Sequence, residues 1–395
     1  MQKFTKWVAM YGNAMSIADH KPETYSRDIT LRYPIYSPFD GNKLRFTFDN
    51  FCADEDITIT EAFVAMAGES KGQIKPSTSR RITFSGKNSV TISGKSKVVS
   101  DEIPMDVKRN DIITVSFYLK DYTLMRSSVI ITGSRSGGFY SVGNTVNDEI
   151  PDINKTRKTN CYYFLSDIDI LTDEENHALI CYGDSITSQD WPDLLTDRLE
   201  KEGITNLSVI RKAASGTRIL REYDNITYES YGLKGTNRVP REWDVSGADM
   251  IIIQQGINDI IHPVGTDVNP FRPMSDLPEC DELINGIKWY LSQARKKNLR
   301  VYTGTLLPIN GWRTYADFRE RLKNDFNEWL RTTPLSDGCI DFDKAVRSAS
   351  APTEFADGND SGDHLHPSVL GYKAMAECVP KEIFQKAFAS PLSDK

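Results

Sequence analysis

The chain has 395 residues, long for one domain and comfortable for two, with 39% hydrophobic and 10% aromatic residues as in ordinary globular proteins. Its net charge of −7 is spread over interspersed acids and bases, and the basic cluster Arg295-Lys296-Lys297 closes a helix-like stretch where cations complement the dipole, which argues against a nucleic-acid partner. No apolar run approaches the ~20 residues that span a bilayer, and six scattered cysteines without a C-x-x-C pair read as a reduced interior rather than a disulfide scaffold or zinc site.

The opening MQKFTKWVAMYGNAMSIA carries lysines and apolar residues, but Tyr11, Gly12 and Asn13 interrupt its apolar core. It reads as the first residues of a folded domain rather than a leader, and a cytoplasmic location is expected. From about residue 28 to 170 the pattern alternates with period two. Leu44-Arg45-Phe46-Thr47-Phe48, Ile82-Thr83-Phe84, Val90-Thr91-Ile92 and Val115-Ser116-Phe117-Tyr118 are separated by turns such as Ser85-Gly86-Lys87 and Ser93-Gly94-Lys95. Short alternating strands at close spacing predict an antiparallel, jelly-roll-like β-sandwich over 1–174, with those two turns as hairpin punctuation.

Beyond Asn176 the texture changes. Apolar strands are expected at Ala178–Tyr182, Leu207–Ile210, Met250–Gln254, Leu299–Leu306 and Cys339–Phe342. Helical patterns lie between them at Glu282–Lys297 and Thr314–Thr332, with a last one from Val369 to about Phe388. Short doubly buried strands alternating with helices predict a parallel five-stranded sheet in an α/β domain over 175–395. Sites in such sheets form beyond the carboxyl ends of the strands.

Gly183-Asp184-Ser185 falls at one such end. It is either an ordinary strand-to-helix turn before the helix at Trp191-Pro192, or a turn that projects a nucleophilic hydroxyl. A serine nucleophile also needs a base, an orienting group and oxyanion donors. The histidines are His20, His177, His262, His364 and His366. In Gly362-Asp363-His364-Leu365-His366-Pro367, Asp363 and His366 are three apart and would share one face of a helical turn, leaving one imidazole nitrogen for Ser185. His364 would point elsewhere, with Asp360 as an alternative partner. His262 reads as structural or as a substrate contact. The run from Asp357 echoes a calcium loop, but Ser368 stands where a Glu ligand is required, so no metal is expected. Oxyanion donors are available at Gly216, where a backbone N–H can approach closely, and at Asn258 in Gly256-Ile257-Asn258-Asp259. Trp191, Arg218, Trp243 and Trp312 could line an acceptor site or simply pack.

Taken together, Gly183-Asp184-Ser185, Gly216, Gly256-x-Asn258-Asp259 and Asp363-x-x-His366 follow one another on successive strand ends. This conjunction resembles the SGNH (GDSL) hydrolases over residues 177–388, with Ile186 in place of the usual Leu. The resemblance implies a flavodoxin-like three-layer α/β/α domain. It further implies Ser185 as nucleophile, His366 as base and Asp363 as its partner. The oxyanion hole it implies comprises the Ser185 N–H, the Gly216 N–H and the Asn258 side chain. No cofactor is implied. An N-terminal sandwich followed by GDSIT, GIND and DHLHP is similar to the subgroup of arylesterases found beside bacterial xylanases. That points to hydrolysis of O-acetyl esters on carbohydrates, with an oligosaccharide or other small ester as partner and neither nucleic acid nor membrane. The alternatives are a lipid esterase or thioesterase, an acyltransferase using the same triad, and a carbohydrate-binding protein with an idle triad.

Overall fold

A computed structural model describes residues 4–17, 24–70, 72–152, 154–225 and 227–387; His20 and Phe388 lie outside them. The chain divides into two compact units: Met1–Ala178 with Ile204–Ile210 and Val245–Gly247, and Leu179–Gly203 with Arg211–Asp244 and Ala248–Lys395. Among the described residues no helix is long and apolar enough to cross a membrane.

The first unit is built on antiparallel strands. One sheet joins β1 (Lys6–Gly12), β3 (Gly41–Asp49), β6 (Lys97–Val99), β7 (Ile103–Val107) and β11 (Leu165–Thr172), in which β1 pairs β11, β11 pairs β3, and β3 pairs both β7 and β6. A second sheet has the order β10 (Thr156–Thr159), β9 (Gly138–Val142), β2 (Ile29–Tyr36), β8 (Ile112–Leu119), β4 (Glu61–Met66), β5 (Arg80–Arg81). The period-two pattern supplies the apolar faces. Phe46 and Phe48 of β3 and Val115 and Phe117 of β8 are wholly buried, and the Phe48 and Phe117 rings meet edge-on at 5.2 Å. Burying each such ring stabilises the fold by roughly 1.5–3 kcal/mol. The turn at Ser93-Gly94-Lys95 departs from expectation. It carries the chain from Val90–Ile92, paired with Ile57–Ile59, to β6, paired with β3, so it links two sheets instead of closing a hairpin.

Beyond Asn176 the chain forms the parallel five-stranded sheet. Its strands are β12 (His177–Gly183), β13 (Leu207–Ala213), β14 (Ala248–Gln254), β15 (Arg300–Gly304) and β16 (Gly338–Ile340), in the order β13-β12-β14-β15-β16. Ile251, Ile252, Leu179, Ile180 and Val301 are fully buried, as strands covered on both faces require. The helices are α1 (Ser185–Ser188), α2 (Trp191–Lys201), α3 (Gly235–Glu242), α4 (Ile257–Ile261), α5 (Cys280–Lys296), α6 (Asp317–Thr332), α7 (Phe342–Val346), α8 (Val369–Cys378) and α9 (Glu382–Ala387). Of the boundaries that differ from expectation, two have evident local reasons. Asp341 ends β16 early because its side chain caps α7, accepting the Lys344 N–H. The last helix splits into α8 and α9 at Val379-Pro380, where proline cannot continue the ladder.

The sheet order positions the site. The chain leaves β12 for β13 on one side and then crosses to β14 on the other. The loops that follow these three strands therefore open at the carboxyl edge around one switch point.

Candidate active site

Ser185 leaves β12 through a turn that only glycine permits at the preceding corner. A Cβ on Gly183 would lie 2.4 Å from the Gln254 carbonyl oxygen and 2.5 Å from Thr187 Oγ1. Asp184 then caps α1, its Oδ1 accepting the Ile186 N–H at 3.1 Å. Ser185 is thereby held at the first position of a helix, half-buried.

The hydroxyl meets His366: Ser185 Oγ and His366 Nε2 are 2.8 Å apart, and His366 Nδ1 lies 2.7 Å from Asp363 Oδ2. The way Asp363 reaches His366 corrects the helical-turn expectation. Residues 362–366 form an irregular bend with Gly362 at φ 104° and His364 at φ 62°. Asp363 Oδ1 accepts the backbone N–H groups of Leu365 and His366, and this side-chain turn brings Oδ2 onto the ring. Burial would raise the Asp363 carboxyl, but the His366 ring and those N–H groups outweigh it and hold the acid below the usual carboxylate range. His364 turns away to Asp360, its Nδ1 lying 2.6 Å from Oδ2.

Gly216 follows β13 at φ 76°, and a Cβ there would lie 2.8 Å from Tyr231 Cα. The backbone of this turn is fixed from beneath. Asp259 is buried and accepts the N–H groups of Ile219 and Leu220 at 2.8 and 3.0 Å, while burial pushes its carboxyl up to about 6. Asn258 is buried in α4 and donates from Nδ2 to the Thr217 carbonyl at 3.1 Å, which sets its amide beside the Gly216 turn.

Arg238, Tyr223, Tyr228 and Tyr231 were not singled out from sequence. Arg238 is 1% exposed and pairs with Glu242 at 2.8 Å. It also donates to the Gly183 and Lys212 carbonyls and to Thr217 Oγ1, tying the ends of β12 and β13 to the Gly216 turn. Its i,i+4 spacing to Glu242 is the usual signature of an exposed helical pair, so nothing local marked it as buried. Tyr223, Tyr228 and Tyr231 form a ring cluster beside Gly216. The His262 ring packs at a tilt against Tyr231, centroids 4.5 Å apart, and the Arg218 guanidinium sits 4.2 Å above Tyr223. Burial and the guanidinium groups of Arg218, Arg272 and Arg313 hold His262 well below its ordinary value, so it stays neutral. Trp191 and Trp243 are core residues, packed on Phe342 and on Tyr182 and Tyr290. His177 lies at the start of β12 beside Lys6, away from these residues. Among the described residues no group of three or more His, Cys, Asp or Glu could hold a metal ion.

Asp184 is fully buried, and its Oδ2 meets no hydrogen-bond partner among the described residues; burial pushes its carboxyl up to about 7. Such a group binds its proton more tightly folded than unfolded. Its contribution is therefore full below pH ~4 and is lost as pH rises through the folded value of about 7. Asp184→Asn keeps the acceptor for Ile186 and removes the titration. The urea midpoint of the wild type is expected to fall relative to this variant as pH rises across that window. Parallel pH profiles of the two proteins would refute a neutral buried Asp184.

The family model described as GDSL-like lipase/acylhydrolase matches residues 171–379, just over half of the chain. Among solved structures the chain is similar to an acetyl xylan esterase, AlAXEase, at 18% identity over 51% of this chain and 96% of the other, with a TM-score of 0.37. A catalytic mutant of an acetylxylan esterase from Geobacillus stearothermophilus matches at 16% identity over 55% and 97%, TM-score 0.39. A lipase/acylhydrolase from Enterococcus faecalis matches at 18% identity over 55% and 100%, TM-score 0.39. No curated protein matches the chain.

Proposed function

Because the chain belongs to the GDSL-like lipase/acylhydrolase family, we propose that it is a serine esterase that removes short acyl groups, above all O-acetyl, from carbohydrates. In this reading 175–395 is a flavodoxin-like three-layer catalytic domain and 1–174 a jelly-roll-like sandwich. One observation carries the proposal: the unbroken run from Ser185 Oγ through His366 to Asp363 Oδ2, with contacts of 2.8 and 2.7 Å.

The chemistry follows from that run. His366 Nε2 takes the hydroxyl proton as Ser185 Oγ attacks the ester carbonyl, and Asp363 stabilises the imidazolium through Nδ1. The tetrahedral oxyanion forms between the Ser185 N–H, the Gly216 N–H and the Asn258 amide. Collapse breaks the bond to the alkoxy group, which leaves with the proton from His366. Water then repeats the cycle on the acyl-serine and releases the acid. Asn258→Ala is expected to lower kcat ~100–1,000-fold, about 3–4 kcal/mol, with KM little changed. A collapse in KM at constant kcat would make Asn258 a binding residue.

Support for a carbohydrate comes from the resemblance of the whole chain to xylanase-associated esterases. The tyrosine cluster with Arg218 beside Gly216 offers ring faces and donors of the kind sugars use. A second reading has its own observation. Val268, Phe271 and Met274, in the loop between α4 and α5, are 71, 46 and 40% exposed, an apolar surface suited to a longer acyl chain. Specificity constants for acetyl, butyryl and octanoyl nitrophenyl esters, set beside acetate release from acetylated xylo- and manno-oligosaccharides, separate the two. Acetyl esters are expected to lead, with glycosyl acetates ahead of alkyl acetates, because a filled acyl pocket gains nothing from further methylenes. Preference for octanoyl with no acetate released from any glycan would establish the lipid reading instead.

A further inference from the structure

The two backbone N–H groups that the esterase reading gives to the oxyanion belong to different strand ends. Ser185 follows β12 and Gly216 follows β13. A tetrahedral oxyanion needs both donors within ~2.7–3.1 Å of one point, so the spacing of the two turns matters to a fraction of an ångström. A backbone bond from the Ala214 N–H to the Gly183 carbonyl, at 3.3 Å, joins the two ends before either donor is reached. Beyond it, side chains join the turns.

Arg238, in α3, supplies that connection, and all five N–H groups of its guanidinium are used. Glu242 accepts from Nε and from Nη2 at 3.0 and 2.8 Å, and the guanidinium lies 4.5 Å over the Tyr182 ring. With its plane fixed, the remaining donors are aimed. Nη2 donates to the Lys212 carbonyl at 3.0 Å, and Nη1 donates to the Gly183 carbonyl and to Thr217 Oγ1 at 3.0 and 2.9 Å. One nitrogen thus bonds a group two residues before Ser185 and a group one residue after Gly216. Thr217 is wholly buried, and its hydroxyl also accepts from Gln255 Nε2 at 3.1 Å and donates to the Ala214 carbonyl at 2.8 Å. Its carbonyl accepts from Asn258, the third oxyanion donor of that reading. Arg238 and Glu242 are 1 and 4% exposed. Burying such a pair seldom adds stability over apolar residues of the same volume, so fold stability by itself gives no reason for it here.

We propose that Arg238 is a positioning residue for ester hydrolysis: through Thr217 and the Gly183 carbonyl it sets the separation of the Ser185 and Gly216 N–H groups. The inference rests on the esterase reading. Because the oxyanion exists only as the reaction proceeds, a change in that separation acts on the transition state and leaves binding of the ester largely alone.

The test compares the full chain with three variants on 4-nitrophenyl acetate: Arg238→Met combined with Glu242→Leu, Thr217→Val, and Thr217→Ser. Replacing both ions together avoids a buried, unpaired Glu242, which would threaten folding. Active sites are counted by complete labelling with an organophosphonate, and kcat is expressed per labelled site. The double variant is expected to lose about 100-fold in kcat with KM little changed, and Thr217→Val at least about tenfold. Thr217→Ser, which keeps the hydroxyl, is expected to stay close to wild type. A pair that only supports the fold would lower the labelled fraction and the melting temperature and leave kcat per labelled site intact, and that result overturns the proposal. So does Thr217→Ser as slow as Thr217→Val. Both results leave the esterase reading standing. A wild type that neither hydrolyses esters nor takes the label would overturn that reading, and this proposal with it.

Discussion

Ser185→Ala is expected to remove nearly all ester hydrolysis, with a loss of order a million-fold in kcat when the nucleophile of such a triad is deleted. The fold should be untouched. Ser185 sits at the start of α1, whose cap is the Asp184 side chain, and its hydroxyl makes its contact with His366 rather than with the core. Turnover of 4-nitrophenyl acetate, read beside the melting temperature, separates chemistry from folding. An organophosphonate should label Ser185 and be blocked by the substitution. Labelling at another serine, or full turnover by Ser185→Ala, would sink the assignment.

Asp363→Asn is expected to cost about 10,000-fold in kcat, for a reason that is geometric rather than a matter of charge alone. The amide oxygen can still accept the N–H groups of Leu365 and His366 that Asp363 Oδ1 accepts, so the bend survives. The amide nitrogen would stand where Oδ2 meets His366 Nδ1 at 2.7 Å, and it donates. Nδ1 must then be the bare nitrogen, which puts the ring proton on Nε2, facing Ser185 Oγ. A base in that tautomer cannot take the serine proton. Activity within tenfold of wild type would show that Asp363 shapes the loop only, and would turn attention to the neighbouring His364–Asp360 pair at 2.6 Å.

Much of this molecule is determined by local pattern. The parallel strands were legible because a run such as Met250–Gln254 is apolar on both faces, a property of consecutive residues. The antiparallel region was legible because side chains alternate along a strand. The four motif blocks could be placed at strand ends because α/β topology orders them there. Tertiary structure decided the rest, where a partner lies far along the chain. Asp363 and His366 meet through a side-chain turn, because Gly362 and His364 take the left-handed conformation that the 362–366 bend needs. Arg238 and Glu242 have the i,i+4 spacing of a surface helical pair, yet they are buried, with Arg238 donating to the Gly183 carbonyl, 55 residues away in sequence. Arg32 sits in an alternating strand where an outward cation is unremarkable. Its burial depends on carbonyls at 72, 145 and 148, which only the folded loops deliver. Periodicity records which face of an element is covered, and the identity of what covers it is set by contacts that no local window contains.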